Sequence, residues 1–451
     1  MTIEVISTSS LGNRGYLIHD GTRAVAVDVQ RDYQRWIDAA KAASVTIVSV
    51  FETHMHNDYV TGGFRLAEIT NTNYVVPAKS GESFSATEAS DGQEFVIGEL
   101  TVTALHTPGH TPHHMSYLVA SAGERVICTG GGLLYGTVGR TDLVDPKLTE
   151  TLTHDQYNSA QKLLSTVPDD TAVLPTHGFG SFCSSSDGSG ATSSTLADEK
   201  KINIVFTSDS KQSFIDTIIR GLGPYPRYYA QMGPLNRAGP VDPKTLHIHD
   251  FDSDILSQQL RADNRWVVDI RDRKAFAAGH PEAAMGIELG NSFSTYTGWV
   301  LPWAQDIILV GDSDDSLREA HLELSRIGLD AFISGATSNL TSYFGSAEVR
   351  SYEIRQFSDL QAARQVHPEP FVLDVRLASD WSVSHVEGSV NIPLHEVRQR
   401  ANELPLDQPI WVHCASGYRA SIAASLIERS KRTPILINDH FDSAIKLGLT
   451  T

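Results

Sequence analysis

Apolar and polar positions alternate in short runs through the first half of the chain. "GYLIHD", "RAVAVDV", "NYVVPA" and "LTVTALHTPGH" each read as a strand bounded by turn residues. Between them, "RDYQRWIDAAKAA" has helical spacing. The second half changes character. "DIILVGD" and "PIWVHCA" are unbroken apolar runs, as expected for strands buried on both faces, and each is followed by a helical pattern, "SLREAHLELSRIG" and "RASIAASLIERS".

Punctuation divides these halves. The Ser/Gly-rich "SSSDGSGATSSTLADEK" has the composition of a flexible loop, and "QSFIDTIIRGL" after it looks helical. The Pro/Gly-rich "GPYPRYYAQMGPLNRAGPVDP" is the stronger boundary signal, placing the end of a first domain near Lys244. Beyond it lies an internal repeat. "WVVDIRDRKAFAAGHPEAAMGIEL" aligns with "FVLDVRLASDWSVSHVEGSVNIPL", pairing Asp269 with Asp374, His280 with His385 and Ile287 with Ile392 at a constant offset of 105 residues. Alternating strand and helix in each copy predicts two small parallel α/β domains. The expected domains are 1–245, 246–350 and 351–451.

At 451 residues the chain exceeds what one core usually supports. With 54 acidic against 36 basic residues, its net charge of −18 disfavours nucleic acid and anionic membrane as partners and favours a small molecule. No basic n-region leads into a long apolar stretch, so a cytoplasmic location is expected. The three cysteines, Cys128, Cys183 and Cys414, lie far apart and show no CxxC spacing, so neither a disulfide scaffold nor a cysteine zinc site is suggested. Cys128, flanked by apolar residues in "RVICTG", reads as a buried inert thiol; Cys183 either lines a pocket or is structural.

Two motifs carry chemistry. In the first, "FETHMHNDYVTGG" follows the apolar run "SVTIVSV", so His54, His56 and Asp58 project from a loop at a strand end, a spacing that lets two imidazoles converge on one ion. Downstream, His110 follows a Pro-Gly turn in "HTPGHTPHHMSYLV", and His177 ends a strand in "VLPTHGFGSF". In the second, the strand "IWVH" ends at Cys414, and Ala415, Ser416, Gly417 and Tyr418 curl towards a helix that begins near Arg419. Free N–H groups at such a loop and the dipole of the helix stabilise an anion at the cysteine sulfur, and the thiolate is the nucleophile.

On these residues the first half resembles the metallo-β-lactamase superfamily: "THMHND" is similar to its metal loop, "TPGHT" to its second histidine and "PTHG" to its last. The resemblance implies an αβ/βα sandwich with one metal ion per chain at its edge. "ETHMHND", "TPGHT" and "GRTDL" are most similar to the persulfide dioxygenases, which implies Fe(II) held by two histidines, matched here by His54 and His110, and an aspartate. Zn(II) is the alternative ion. Two residues depart from the pattern. Tyr59 stands where the loop usually ends in histidine, and Gly131, in "TGGG", stands where the family has its aspartate. The candidate ligands are therefore His54, His56 and His110, with Asp58 or His177 as substitutes for the missing carboxylate.

"CASGYR", with "LDVR" and "HVEGSVNIPL" before it, resembles the rhodanese sulfurtransferases. This implies that Cys414 accepts a sulfane sulfur as a persulfide, that residues 415 to 418 cradle it and that Arg419 supports an anionic substrate. A loop of this length disfavours the related phosphatases. In the first copy the same alignment places Gly311 at the cysteine position with Asp312, Asp314 and Asp315 around it, so that copy is expected to be inactive. The whole chain is thus expected to be an α/β multidomain enzyme, a metallo-β-lactamase sandwich followed by two rhodanese domains, that handles a thiol persulfide or thiosulfate. The alternatives are a zinc hydrolase of the glyoxalase II kind and a metal-free persulfide-binding domain. A homo-oligomer is implied by the family alone.

Overall fold

The computed structural model describes residues 1–186, 188–260, 265–345, 347–366 and 370–451. Met1–Lys244, with Ser325–Gly328, form one compact unit, and Thr245–Leu324 with Leu329–Thr451 form a second.

The first unit is built on two sheets. One has six strands in sequence order, from Thr2–Thr8 through Asn13–His19, Arg23–Val27, Thr46–Phe51 and Asn73–Pro77 to Thr87–Ala89. The other has five, in the order Ala172–Pro175, Glu124–Gly130, Met115–Ser121, Leu100–His106, Glu94–Ile97. Alternation along Arg23–Val27 explains why the sheets are covered on both faces. Val25 and Val27 enter a core between the sheets with Tyr16, Phe51, Val102, Tyr117 and Cys128. Ala24 and Ala26 point the other way, beneath Trp36 and Leu66 of the helices Gln34–Ala43 and Gly63–Thr70. The outer face of the second sheet is covered by Thr149–Thr166 and Lys211–Gly221 through Leu163, Phe214 and Ile218. This is the αβ/βα sandwich, and Cys128 is buried in its middle. The Ser/Gly-rich run is described except for Asp187; its last residues enter the helix Leu196–Ile202 through a capping box of Thr195 and Asp198.

The C-terminal ends of the parallel strands Thr46–Phe51, Glu124–Gly130 and Ala172–Pro175 lie at one edge of the sandwich. Met115 N–H donates to the Thr53 carbonyl at 2.7 Å and Arg14 N–H to the Thr176 carbonyl at 2.9 Å, which stitches the two sheets together there. Loops 52–62, 107–114, 131–140 and 176–183 emerge at this edge. One difference from the sequence reading matters for them. The Pro/Gly-rich stretch contains a helix, Tyr229–Ala238, with Pro234 inside it. Its buried Asn236 fastens the loop after Phe51: the side-chain amide donates to the carbonyls of His56 and Tyr59, both at 2.9 Å, and accepts from Thr61 N–H at 2.9 Å.

In the second unit, the parallel sheet Met285–Gly286, Arg265–Asp269, Asp306–Val310, Ile333–Thr337 is matched strand for strand by Val390–Asn391, Phe371–Asp374, Ile410–His413, Pro434–Ile437, which Glu353–Arg355 extends at one edge. The helix Tyr418–Arg429 is buried from Ala420 to Ile427, apolar nearly all round. Its small residues let it pack against its own sheet and also against the first copy, where Gly286 N–H donates to Ser425 Oγ at 3.1 Å. Among the described residues no helix is long and apolar enough to cross a membrane.

Candidate metal and sulfur-transfer sites

Four buried histidines meet at the sandwich edge. His54 and His56 come from the loop after Thr46–Phe51, His110 from the Pro-Gly turn and His177 from the end of Ala172–Pro175; all are at most 1% exposed. Ligand atoms of His54, His110 and His177 lie within 4.8 Å of one another, and so do those of His56, Asp58 and His177. His54 Nε2 and His177 Nε2 are 3.2 Å apart. The atoms aimed into this space lack partners: His110 Nε2, His56 Nδ1 and Asp58 Oδ1 are buried without a hydrogen bond. Buried polar atoms are normally satisfied, so orphans in each of these two sets fit a cation bound at this edge. Both sets contain residues expected as ligands, and His177 is common to them.

Electrostatics separate the histidines. Burial and the neighbouring rings of His56 and His110 push the His54 imidazole well below its ordinary value, and burial, then His177, does the same to His110. His56 goes the other way. Burial pulls it down, but the carboxylates of Asp28 and Glu52, 3.3 and 2.9 Å from its Nε2, outweigh this and hold it up at about 10. Burial would raise Asp58, yet His177 and His56 keep it below the carboxylate range. Asp28 itself has a left-handed backbone, φ 50°, rare for a residue with a Cβ. That bend aims its carboxylate at Thr53, whose backbone N–H and hydroxyl both donate to it at 2.8 Å.

Gly131 lies against His110. A Cβ built on it would stand 2.7 Å from His110 Nε2 and closer still to the ring carbons, so the imidazole occupies the space in which a carboxylate side chain would begin. Tyr59 is fully buried and stacks on His56 at 4.3 Å. His114, a fifth histidine, is already engaged: its Nε2 accepts Gly131 N–H at 3.2 Å and its Nδ1 faces Thr107 Oγ1 at 2.9 Å. Burial lowers it to about 3. Cys183 is buried behind Ser181, whose hydroxyl accepts from Cys183 N–H and donates to Asp58 at 3.3 Å; burial raises its thiol far above the usual range.

The second site is the loop from Cys414 to Arg419. Cys414 follows the strand Ile410–His413 and is 1% exposed. Gly417 N–H donates to its sulfur at 3.2 Å. Gly417 needs its left-handed φ of 90° to turn that N–H inward, and a Cβ there would stand 3.1 Å from Asn438 Cα. Helix Tyr418–Arg429 starts at the next residue and directs its N-terminus at the loop. Arg419 reaches Asp380 at 3.6 Å; burial opposes its charge, but Tyr296, Cys414 and the aspartates outweigh burial and hold it more firmly protonated. Asp374 and Arg376 form a buried bidentate pair, 2.6 Å at its shortest, beneath the loop. The first copy reaches this site. Tyr418 donates its hydroxyl to the Glu288 carbonyl at 2.8 Å, Tyr296 lies 6.0 Å from the Tyr418 ring, and Trp299 stacks on His395 at 4.9 Å. In that copy the strand Asp306–Val310 runs into Gly311, with no thiol.

Sequence reasoning found the histidines and the cysteine loop from local motifs. It missed Asp28, Asn13, Asn236, Tyr296 and Glu288, which act through contacts distant in sequence, and Glu52, whose carboxylate meets His56 only four residues on.

Comparison with known proteins agrees with this geometry. Residues 16–178 match the metallo-beta-lactamase superfamily and residues 354–443 the rhodanese-like domain. The chain therefore joins a metallo-beta-lactamase sandwich to a rhodanese-like domain. It is 31% identical over 170 residues to a hydroxyacylglutathione hydrolase from Brucella anthropi, covering 37% of this chain and 62% of that one. This chain likewise spans 62% of the length of the corresponding Rhizobium johnstonii protein. Among solved structures, a metallo-beta-lactamase from Staphylococcus aureus superposes with a TM-score of 0.66 and 27% identity, over 74% of this chain and 98% of that one. ETHE1 from Myxococcus xanthus has a TM-score of 0.46 and 30% identity, over 53% of this chain and 99% of that one.

Proposed function

We propose that this protein is an enzyme of sulfane-sulfur metabolism in the reducing cytoplasm, where its three cysteines stay free. The observation that carries the reading is the seat of Cys414, its sulfur under Gly417 N–H at a helix N-terminus with Arg419 beside it. The Cys414 thiolate attacks the outer sulfur of thiosulfate; a Cys–S bond to that sulfur forms, its bond to the sulfonate breaks, and sulfite leaves with the electron pair. Cys414 then carries a persulfide, which a second thiolate takes over by the same exchange, regenerating Cys414. Arg419 binds the anion. Gly311 leaves the first copy without a nucleophile, and we read that copy as an inactive rhodanese that buttresses the working site.

For the sandwich we propose oxidation of a thiol persulfide by O₂ and water to the thiol, sulfite and two protons. An ion held at this edge, where His54, His110 and His177 come together, would supply open positions for sulfur and oxygen. The chain's own residues enclose the site and place the imidazoles. The likeness to hydroxyacylglutathione hydrolases favours a second reading, a zinc-dependent thioester hydrolase, against which Tyr59 and Gly131 count because they remove ligands of a second metal position. Thiosulfate labelling of Cys414, read as a gain of one sulfur by mass, tests the first site. Oxygen uptake against thioester cleavage separates the two readings of the second.

A further inference from the structure

Resting on the reading of the sandwich edge as a metal centre, we propose that the ion sits on a face of three neutral imidazoles, His54, His110 and His177, with His177 in place of the carboxylate missing at Gly131. Each ring's partner fixes its tautomer. The one hydrogen of the Thr53 hydroxyl goes to Asp28 at 2.8 Å, so Thr53 Oγ1 accepts from His54 Nδ1 at 2.9 Å. The Arg140 carbonyl can only accept, and takes the His110 Nδ1 hydrogen at 2.7 Å. The Asn13 amide nitrogen donates to Asp58 at 2.8 Å, which leaves its oxygen to accept from His177 Nδ1 at 3.0 Å. As neutral ligands, all three rings carry their hydrogen on Nδ1 and present bare Nε2 atoms to one another.

Two of those bare atoms are 3.2 Å apart and the third has no partner. Facing lone pairs without a hydrogen between them repel; a divalent cation turns the repulsion into coordination. Each ring also has the outer partner that metal-bound histidines use: a hydroxyl at His54, a carbonyl at His110, and at His177 an amide and the Asp58 carboxylate, 3.2 Å away. Asp58 then acts through His177 rather than as a ligand. His56 is drawn off by Glu52 and Asp28. Gly131 belongs to the same arrangement, since its missing Cβ leaves room for the His110 ring. Three neutral ligands leave the ion its full double charge, which suits a substrate bound through an anionic sulfur and favours zinc or cobalt more than an iron site with a carboxylate would.

Metal-free full-length protein titrated with Co(II), followed by its visible ligand-field bands and by X-ray absorption, tests the assignment. The expected result is three imidazoles in the wild type. His110→Ala and His177→Ala should weaken Co(II) binding by about a hundredfold or more, while His56→Ala keeps the wild-type bands. Thermal melts of the metal-free variants check folding, and the wild-type X-ray count stands even if a variant fails to fold. Loss of the bands in His56→Ala with their retention in His110→Ala, a carboxylate among the ligands, or no Co(II) binding would overturn the proposal. Three imidazoles without persulfide oxidation would leave it standing and refute only the oxygenase reading.

Discussion

The Tyr418 hydroxyl donates to the carbonyl of Glu288 across 2.8 Å, tying the cysteine loop to the copy that has no cysteine. The bond is mostly buried, so Tyr418→Phe strands a carbonyl acceptor and should cost about 1 kcal/mol in denaturant unfolding. Because the loop loses its anchor but not its thiol, Cys414 should still take up sulfur, with a raised KM for thiosulfate. An unchanged KM would show that the first copy does not hold the loop in place.

Asn236 makes three hydrogen bonds to the backbone of the histidine loop. Asn236→Ala should lower stability by about 2 to 3 kcal/mol and, by loosening the loop that carries His54, weaken metal binding by about tenfold to a hundredfold. Calorimetry and a metal titration on the same preparation check both. A destabilised variant with undiminished metal affinity would separate the helix from the site.

His413 sits under the cysteine loop between Phe357 and Phe441, with its Nε2 3.7 Å from the Asp374 carboxylate and without a hydrogen bond. Burial lowers its pKa from 6.5 to about 4. A histidine depressed on folding takes up its proton more readily unfolded, so its share of stability is complete above about pH 6.5, falls as the pH drops and is fully lost near pH 4. That share is on the order of 3 kcal/mol. Unfolding of wild type and His413→Phe across this window should give a difference that shrinks towards high pH as both rings are neutral there, with the variant losing less stability to acid. Parallel curves would contradict the assignment.

How much of this could be read from the sequence follows from the range of each interaction. The Cys414 loop and His54, His110 and His177 are local patterns, a ligand or nucleophile just past an apolar strand, and were legible. The repeat also showed through, because Asp269 and Asp374 each close the same kind of strand. Asn13 and Asn236 were not legible; they meet Asp58 and the His56 carbonyl only after the sheets and the last helix pack. "YAQMGPLNRA" resembled a linker because proline and glycine lower helix propensity, yet burial of Tyr229 and Met232 overrides that cost. The filling of the carboxylate's space by His110 is a three-dimensional event that a glycine in a string of letters does not announce.

The central claim is that one chain pairs a sulfur-carrying cysteine with a metal centre that oxidises a thiol persulfide. The most direct measurement is oxygen uptake and sulfite release from a thiol persulfide, on anaerobically purified protein of known metal content, with wild type and Cys414→Ser side by side. The account predicts one sulfite per O₂ in both proteins, and sulfur transfer from thiosulfate in the wild type alone. Metal-loaded protein that consumes no oxygen but cleaves a thioester would contradict it.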